Sequence, residues 1–540
     1  MSRRSLNINY WRIIILLAVT CALQLPWNVF VDTSFVPYFA LCLGGPLVFV
    51  VLWTARLRQG DFRVGMSMLI GIGWMVYILI HRLIVEGESY YSSAVLSSII
   101  VFVTSALCFQ KTMMTKNTLY SLLITVAIVQ VIAVGLQWTG LVDSLSSFFR
   151  VTGTFENPNI SAMMTALCIP AIIEKLRELT GKPMWKSALI LLLLLSVMAI
   201  ILLRCRTAII IIVCTVIDFT MRHSKGWAKW MIRVCALLIL GGLVVFLYAW
   251  KPQSADGRLF IWRNAAEMIT NSPLQGVGYG LFEKEYNIRQ AEILETLPVE
   301  APQRKHARCV MTAYNEFLEQ GIQGGVIGAI LFSLFVLSPW LFAKRKNRLH
   351  MVWGISILVI SMTNLTVKAT ALWTLICILY GFMASQERSL CPPRSIRTVL
   401  ACGLLILSCC LVYGSMRHFR AHLVLKQSVT AFQSSPQAAV ATMERYRQFA
   451  GSSECYLRHY AQALMRIGQI REAKEVLNEA KRWTSNPVVY WNLFKCHRLL
   501  GDDERANCYL HYLELQNAPI PRKSPLNRER NKISEVRDAL

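Results

Sequence analysis

The sequence predicts an all-α fold: a polytopic membrane helix bundle of about 12–13 spans, a large polar loop on one face, and a C-terminal helical domain. Three observations predict it. The chain of 540 residues is 55% hydrophobic, with a mean hydropathy of +0.44. Its apolar runs approach the ~20 residues needed to cross a bilayer. The basic residues sit in short loops that all fall on one side when the spans alternate.

Apolar runs lie at approximately 11–30, 35–54, 65–85, 92–110, 119–138, 160–173, 187–203, 207–221, 230–250, 321–343, 351–364, 369–385 and 398–415. The first follows Arg3 and Arg4 and contains Arg12. It lacks the small-residue cleavage site of a secretory signal and is followed by many more spans, so it reads as an anchor. With the N-terminus inside, the loops carrying Arg56/Arg58/Arg63, Lys111/Lys116, Lys175/Arg177/Lys182/Lys186, Arg222/Lys225/Lys229, Lys344/Arg345/Lys346/Arg348 and Arg388/Arg394/Arg397 all face the cytoplasm. The loops at 86–89, 143–159 and 251–320 face outward. The formal net charge of +25 therefore reflects membrane orientation, and its distribution argues against nucleic acid as a partner. The 16 cysteines fall mostly inside spans, with no metal spacing and no disulfide framework.

Beyond residue 415 the chain turns polar and helical in period, on the outer side of an odd number of spans. Gly468-x4-Ala473-x3-Leu477-x2-Ala480 recurs as Gly501-x4-Ala506-x3-Leu510-x2-Leu513. The offset matches the roughly 34-residue period of tetratricopeptide helix pairs. Residues 416–518 are accordingly expected to form a tetratricopeptide-like domain able to present a protein partner, or a plain helical bundle without a ligand. Residues 519–540, charged and Pro-bearing, are expected to be disordered.

Four outward elements hold the polar chemistry. Arg150 opens a turn-rich loop ending Asn157-Pro158-Asn159, where a helix should start with its N–H groups open to an anion. Arg204 and Arg206 are squeezed into a very short loop on the face that disfavours them, and so call for a counter-anion. Arg206 is the stronger candidate, since Arg204 can reach lipid headgroups. Arg258, Trp262 and Arg263 read as an interfacial amphipathic helix leading into Ser272-Pro273-Leu274-Gln275-Gly276-Val277-Gly278-Tyr279-Gly280. Tyr314 and Asn315 then precede a span in which Gly321, Gly324, Gly325 and Gly328 offer a thin face for close packing. Guanidinium groups at a membrane face suit the phosphate of a lipid-linked sugar.

Taken in order, the Gly-Thr-Phe-Glu-Asn-Pro-Asn loop before a span, Cys205-Arg206-Thr207, Arg258-x3-Trp262 with its Gly-rich continuation, and Tyr314-Asn315-x9-Gly325-x-x-Gly328 resemble the O-antigen ligase and polymerase superfamily. The resemblance covers about 100–385 of a membrane domain spanning 1–415. It implies a metal-independent enzyme of the bacterial inner membrane, without a cofactor. Such an enzyme takes a glycan from undecaprenyl pyrophosphate on the periplasmic face and passes it to lipid A–core, a growing glycan or a protein hydroxyl. It points to Arg206, Arg258 and Tyr314 as catalytic, and to Arg150, Asn157, Asn159, Arg263, Asn315, His306 and Glu316 as substrate-binding.

The sequence departs from the family at Tyr314, where a histidine is usual. A phenol of pKa near 10 is a poor general base at neutral pH, although it can donate a hydrogen bond to phosphate. Three explanations stand open: arginine electrostatics with another base such as His306 or Glu316, a divergent branch, or lost activity. A transporter with an outer adaptor, for which Lys368 between two short segments speaks, and a catalytically dead scaffold are the competing readings.

Overall fold

The computed structural model describes residues 28–55, 63–111, 113–179, 181–250, 252–298, 300–343, 348–390 and 393–517. Most of the expected first span at 11–30, with Arg3, Arg4 and Arg12, lies outside them, as do Arg56, Arg58, Lys344, Arg345, Lys346 and the expected disordered tail.

Every apolar run from residue 35 onward is helical. Among the described residues eight helices are long and apolar enough to cross a membrane: Phe35–Trp53, Met66–Ile84, Ser89–Gln110, Lys116–Trp138, Pro158–Glu178, Pro183–Leu202, Glu316–Leu341 and Arg394–Ala431. The remaining runs are occupied by Arg206–His223, Trp227–Trp250, Arg348–Thr363 and Thr370–Ala384. Several helices extend beyond their expected limits. Asn157 accepts a hydrogen bond from the Asn159 N–H, and Pro158 occupies the first helical position, so that helix begins at the loop itself. The last span runs through 415 without a break to Ala431.

The helix Ser89–Gln110 is the centre of the bundle, with 89% of its apolar window buried. A helix apolar all round belongs in such a place. Thr370–Ala384 crosses it closely at Gly381, where a Cβ would stand 2.5 Å from the Ser105 Cβ. Trp373 Nε1 donates to Ser98 Oγ at 2.8 Å in the same contact. At the opposite end of the bundle from residues 206 and 314, a two-stranded antiparallel pair joins Val64–Gly65 to Ser389–Leu390. Beside it the Glu387 carboxylate accepts from the Ser67 N–H at 3.1 Å and from its hydroxyl, capping the helix Met66–Ile84.

The chain divides into two compact units, Met1–Gly280 with Thr312–Lys426, and Leu281–Met311 with the chain from Gln427. The second unit is a run of antiparallel helices, Pro436–Ala450, Glu454–Arg466, Ile470–Lys481, Pro487–Leu499 and Asp503–Leu515. Gly468 and Gly501, the repeat glycines, both turn the chain at positive φ (85° and 77°). The helix Phe282–Thr296 belongs here too. Its Glu283 carboxylate accepts from Ser485 N and Oγ and from Thr484 Oγ1, and Gln290 donates to Gln516 at 2.8 Å.

Candidate functional site

The site lies in the first unit and is built on a broken helix. Within Glu316–Leu341, Gly324 and Gly325 leave helical geometry (Gly325 φ 64°, ψ −171°). The loop 273–280 fills the gap. Val277 N donates to Ile322 O at 2.8 Å, Gly278 N to Gln323 O at 3.0 Å, and Val326 N to Pro273 O at 2.8 Å. Tyr77 adds its hydroxyl to Gly324 O at 2.5 Å, and His81 Nε2 lies 2.6 Å from Gln275 O. The carbonyls of Ile322, Gln323 and Gly324 and the amide of Val326 thus find partners inside protein, as non-helical backbone at membrane depth requires. The glycines expected to form a thin packing face do allow close approach, but Gly324 and Gly325 achieve it by interrupting the helix. A side chain at Gly325 would collide with the Leu274 carbonyl, and one at Gly276 would stand 2.5 Å from Ile322 O.

The polar residues gather at the first turn of that helix. Asn315 is its N-cap, with Oδ1 accepting from Phe317 N at 3.1 Å and Leu318 N at 3.3 Å. Tyr314, just before it, holds φ at 52°, a left-handed conformation uncommon outside glycine. Its placement is braced on both sides. Trp262 Nε1 donates to Ala313 O at 2.9 Å, and Glu319 Oε2 accepts from Ala313 N at 3.0 Å and from Thr312 Oγ1 at 2.5 Å. The Arg258 guanidinium carbon lies 4.9 Å from the centroid of the Tyr314 ring, and its Nη1 donates to Thr363 O at 2.6 Å.

Arg206 begins the helix Arg206–His223, half-buried, with Nη2 donating to Ser254 Oγ at 3.0 Å. Ser254 is one turn before Arg258 on Pro252–Asn271, so Arg206 and Arg258 meet the same helix. The neighbouring Thr207 hydroxyl is 3.0 Å from that of Thr363. The segments 206–207, 254–262, 312–319 and 363–368 thus converge. Arg204 is exposed, with φ 51°.

The other expected residues are placed as follows. Glu316 is buried, with Oε1 accepting from Gln320 and Oε2 from Thr366 N and Val367 N, so both oxygens are engaged by internal donors. Arg150 is exposed and lies over the Trp138 ring at 4.7 Å. Its loop is tied to the helix Lys116–Trp138, since Gln137 Oε1 accepts from both Thr152 N and Gly153 N at 2.8 Å. Asn157 serves as the N-cap of Pro158–Glu178, Asn159 follows it half-buried, and Arg263 is exposed. His306 closes the short helix Pro302–His306 in the second unit, whereas Glu316 is in the first. Among the described residues no group of three or more His, Cys, Asp or Glu side chains is arranged to hold a metal.

Two residues at this convergence were not among the sequence candidates. Glu319 braces the backbone ahead of Tyr314, and Lys368 Nζ pairs with its other oxygen at 3.1 Å. The carboxylates at 316 and 319 are one helical turn apart, a spacing that puts them on one face.

The first unit is thus a helical bundle with apolar helices of membrane-spanning length, in which polar and cationic side chains from separate segments come together at one end. Residues 188–333 match the family model for O-antigen ligase, and this match supports a membrane enzyme of the glycan-ligase type. The matched stretch contains Arg206, Arg258, Arg263, His306, Tyr314, Asn315 and Glu316; Arg150, Asn157, Asn159 and Lys368 lie outside it. No curated protein matches the chain.

Proposed function

We propose that this protein transfers a glycan from undecaprenyl pyrophosphate to an acceptor on the periplasmic face of the bacterial inner membrane. The observation that carries the reading is the shared seat of Arg206 and Arg258: one helix, Pro252–Asn271, holds the partner of the first and the side chain of the second. In this reading the two guanidiniums grip the diphosphate, and they offset the charge that develops as the bond between the sugar C1 and the diphosphate oxygen breaks. Preorganised charge of this kind is commonly worth several kcal/mol per donor. The acceptor hydroxyl attacks C1, the electron pair of the broken bond leaves on undecaprenyl pyrophosphate, and the proton released by the hydroxyl passes to that leaving diphosphate or to water.

Tyr314 acts as a hydrogen-bond donor to a phosphate oxygen and as the surface against which Arg258 is oriented. With both Glu316 oxygens held by Gln320 and the 366–367 amides, we assign Glu316 to holding the site together and not to proton transfer. Asn315 shapes the same turn. Arg150, Asn157, Asn159 and Arg263 are assigned to the approach of donor and acceptor, and His306 to the acceptor side.

The C-terminal helices, read as tetratricopeptide-like, would dock the acceptor or a partner protein. Support comes from the second unit itself: Leu281–Met311 hydrogen-bonds to residues 484–517, so the C-terminal helices and that insert belong together in one unit.

Arg206→Ala or Arg258→Ala should abolish surface-glycan transfer at normal protein levels; unchanged transfer would defeat the assignment. The acceptor is identified by the surface polysaccharide of a deletion strain. Loss of all long glycan on core marks a ligase, single-repeat glycan a polymerase, and an intact ladder with altered glycoproteins a protein transferase.

A further inference from the structure

We propose that the loop 139–150 lies in the bilayer interface, with Leu141, Val142, Phe148 and Phe149 seated among the acyl chains just below the phospholipid headgroups. It thereby anchors that end of the helix Lys116–Trp138, and the proposal is independent of the reaction.

The loop displays apolar side chains that nothing in its own unit covers. Phe148 is 89% exposed and Leu141 74%, with Trp138, Val142 and Phe149 exposed beside them. Apolar side chains shown together in this way mark a contact surface. Asp143 is the one charged residue between 139 and 149.

Two relationships point to lipid as the occupant. The first is continuity with the surface of a span. Ile128, Ile132 and Leu136 are exposed at four-residue spacing on one face of Lys116–Trp138, a face suited to acyl chains. The loop turns back onto the end of that stripe: Leu141 N and Val142 N both donate to Leu136 O, at 3.0 and 3.3 Å.

The second is the way the loop satisfies its own backbone. A loop standing in water can leave its amides to solvent, whereas one entering an apolar layer must pair them. Leu145 N donates to Thr152 Oγ1 at 3.4 Å, Ser146 N to Ser144 Oγ at 3.3 Å, and Phe148 N to Ser146 Oγ at 3.3 Å. Phe149 N donates to Ser146 O at 3.4 Å. Polar groups thus turn inward where the apolar side chains turn out.

The charges fix the depth. Arg150 lies 4.7 Å over the Trp138 ring and its Nη2 donates to Trp138 O at 3.4 Å. A guanidinium on a tryptophan at the end of a span suits the headgroup level, where phosphates supply the opposite charge. Arg150 and the exposed Asp143 keep the loop at the interface and out of the hydrocarbon centre.

The test uses the full-length protein with an environment-sensitive fluorescent amino acid replacing Phe148, reconstituted into vesicles of phosphatidylethanolamine and phosphatidylglycerol. One set of vesicles carries bromine near the ester end of the acyl chains and another near the methyl end. The ester-end bromines should quench the probe about threefold more than the methyl-end bromines, as expected of a segment roughly 5–10 Å into the leaflet. The same probe at Ile128, near the middle of the span, should show the reverse order. A probe at Leu141 repeats the measurement, so that disturbance at one position does not decide it; ester-end quenching at either position supports the proposal. Quenching no stronger than that of the free fluorophore at both positions, with Ile128 still quenched, overturns it. A blue-shifted but unquenched probe at both positions means that protein covers the loop, and overturns it equally.

Discussion

Arg258 lies with its guanidinium carbon 4.9 Å from the centre of the Tyr314 ring, although 56 positions separate the two in sequence. A guanidinium over a phenol face gains about 0.5–2 kcal/mol, more as water is excluded. The contact orients Arg258 without neutralising it. That bears on the residue that stands where the family has histidine. In the function proposed above the aromatic ring serves to orient the arginine, and proton abstraction need not be asked of it.

Tyr314→Phe keeps the ring under Arg258 and removes only the hydroxyl, so transfer should fall about tenfold, in line with one lost donor outside the main oxyanion grip. Tyr314→Ala removes both and should cost about a hundredfold or more. Glycan transfer by the purified variants, with donor saturating and then limiting, separates the two losses. Equal activity of the Phe and Ala variants would rule out a role for the ring.

Gly325→Ala should be poorly tolerated. The residue has φ 64°, and its new Cβ would meet the carbonyls of Leu274 and Pro273. With ψ at −171° this is a conformation adopted essentially by glycine alone, and it costs a side chain about 1–3 kcal/mol. A lower melting temperature of the detergent-solubilised protein is expected, together with loss of transfer, since the break positions Tyr314 and Asn315. Gly73→Ala, at a position with open space around it, is the control and should melt like the native protein.

Glu387 carries the pH prediction. Burial pushes its carboxyl up to about 7 from 4.5, against the opposing hydrogen bonds from Ser67. The folded state therefore holds a proton that the unfolded chain releases near pH 4.5. This linked contribution is fully present below pH 4.5 and is lost as pH rises through 7. Melting temperature should decline between pH 5 and pH 8, and Glu387→Gln should flatten that decline. An identical pH profile for the Gln variant would remove Glu387 as its source.

The side of the membrane occupied by the C-terminal helices can be read from Cys508, which is exposed. A membrane-impermeant maleimide should label it in spheroplasts before permeabilisation, with Cys508→Ser as the blank. Labelling only after permeabilisation would put these helices in the cytoplasm and displace the orientation proposed for the whole chain.

Glu283→Ala should destabilise the second unit by about 1–3 kcal/mol or more, because Thr484 and Ser485 would lose their buried acceptor. Faster limited proteolysis within 427–517, with the membrane helices intact, is the expected readout.

The helical, polytopic character of the apolar runs from residue 35 onward was legible in the chain itself, because a bilayer imposes its length rule on each segment separately. The same holds for Asn157 and Pro158, whose capping chemistry acts over two residues, and for the turn glycines Gly468 and Gly501. What folding alone decided are the meetings of distant segments. Gly324 and Gly325 carry no mark that distinguishes a packing face from a break; the loop 273–280 makes the break affordable by supplying donors and acceptors. Lys368 looked like an isolated charge in a short turn until Glu319, 49 positions earlier, was found against it. The insert 281–311 carries no signal for the helices it joins, since polar partners such as Glu283 and Ser485 are common in any surface loop. Local rules write spans and caps into the chain, whereas a site made of single side chains from four segments exists only once packing has brought them together.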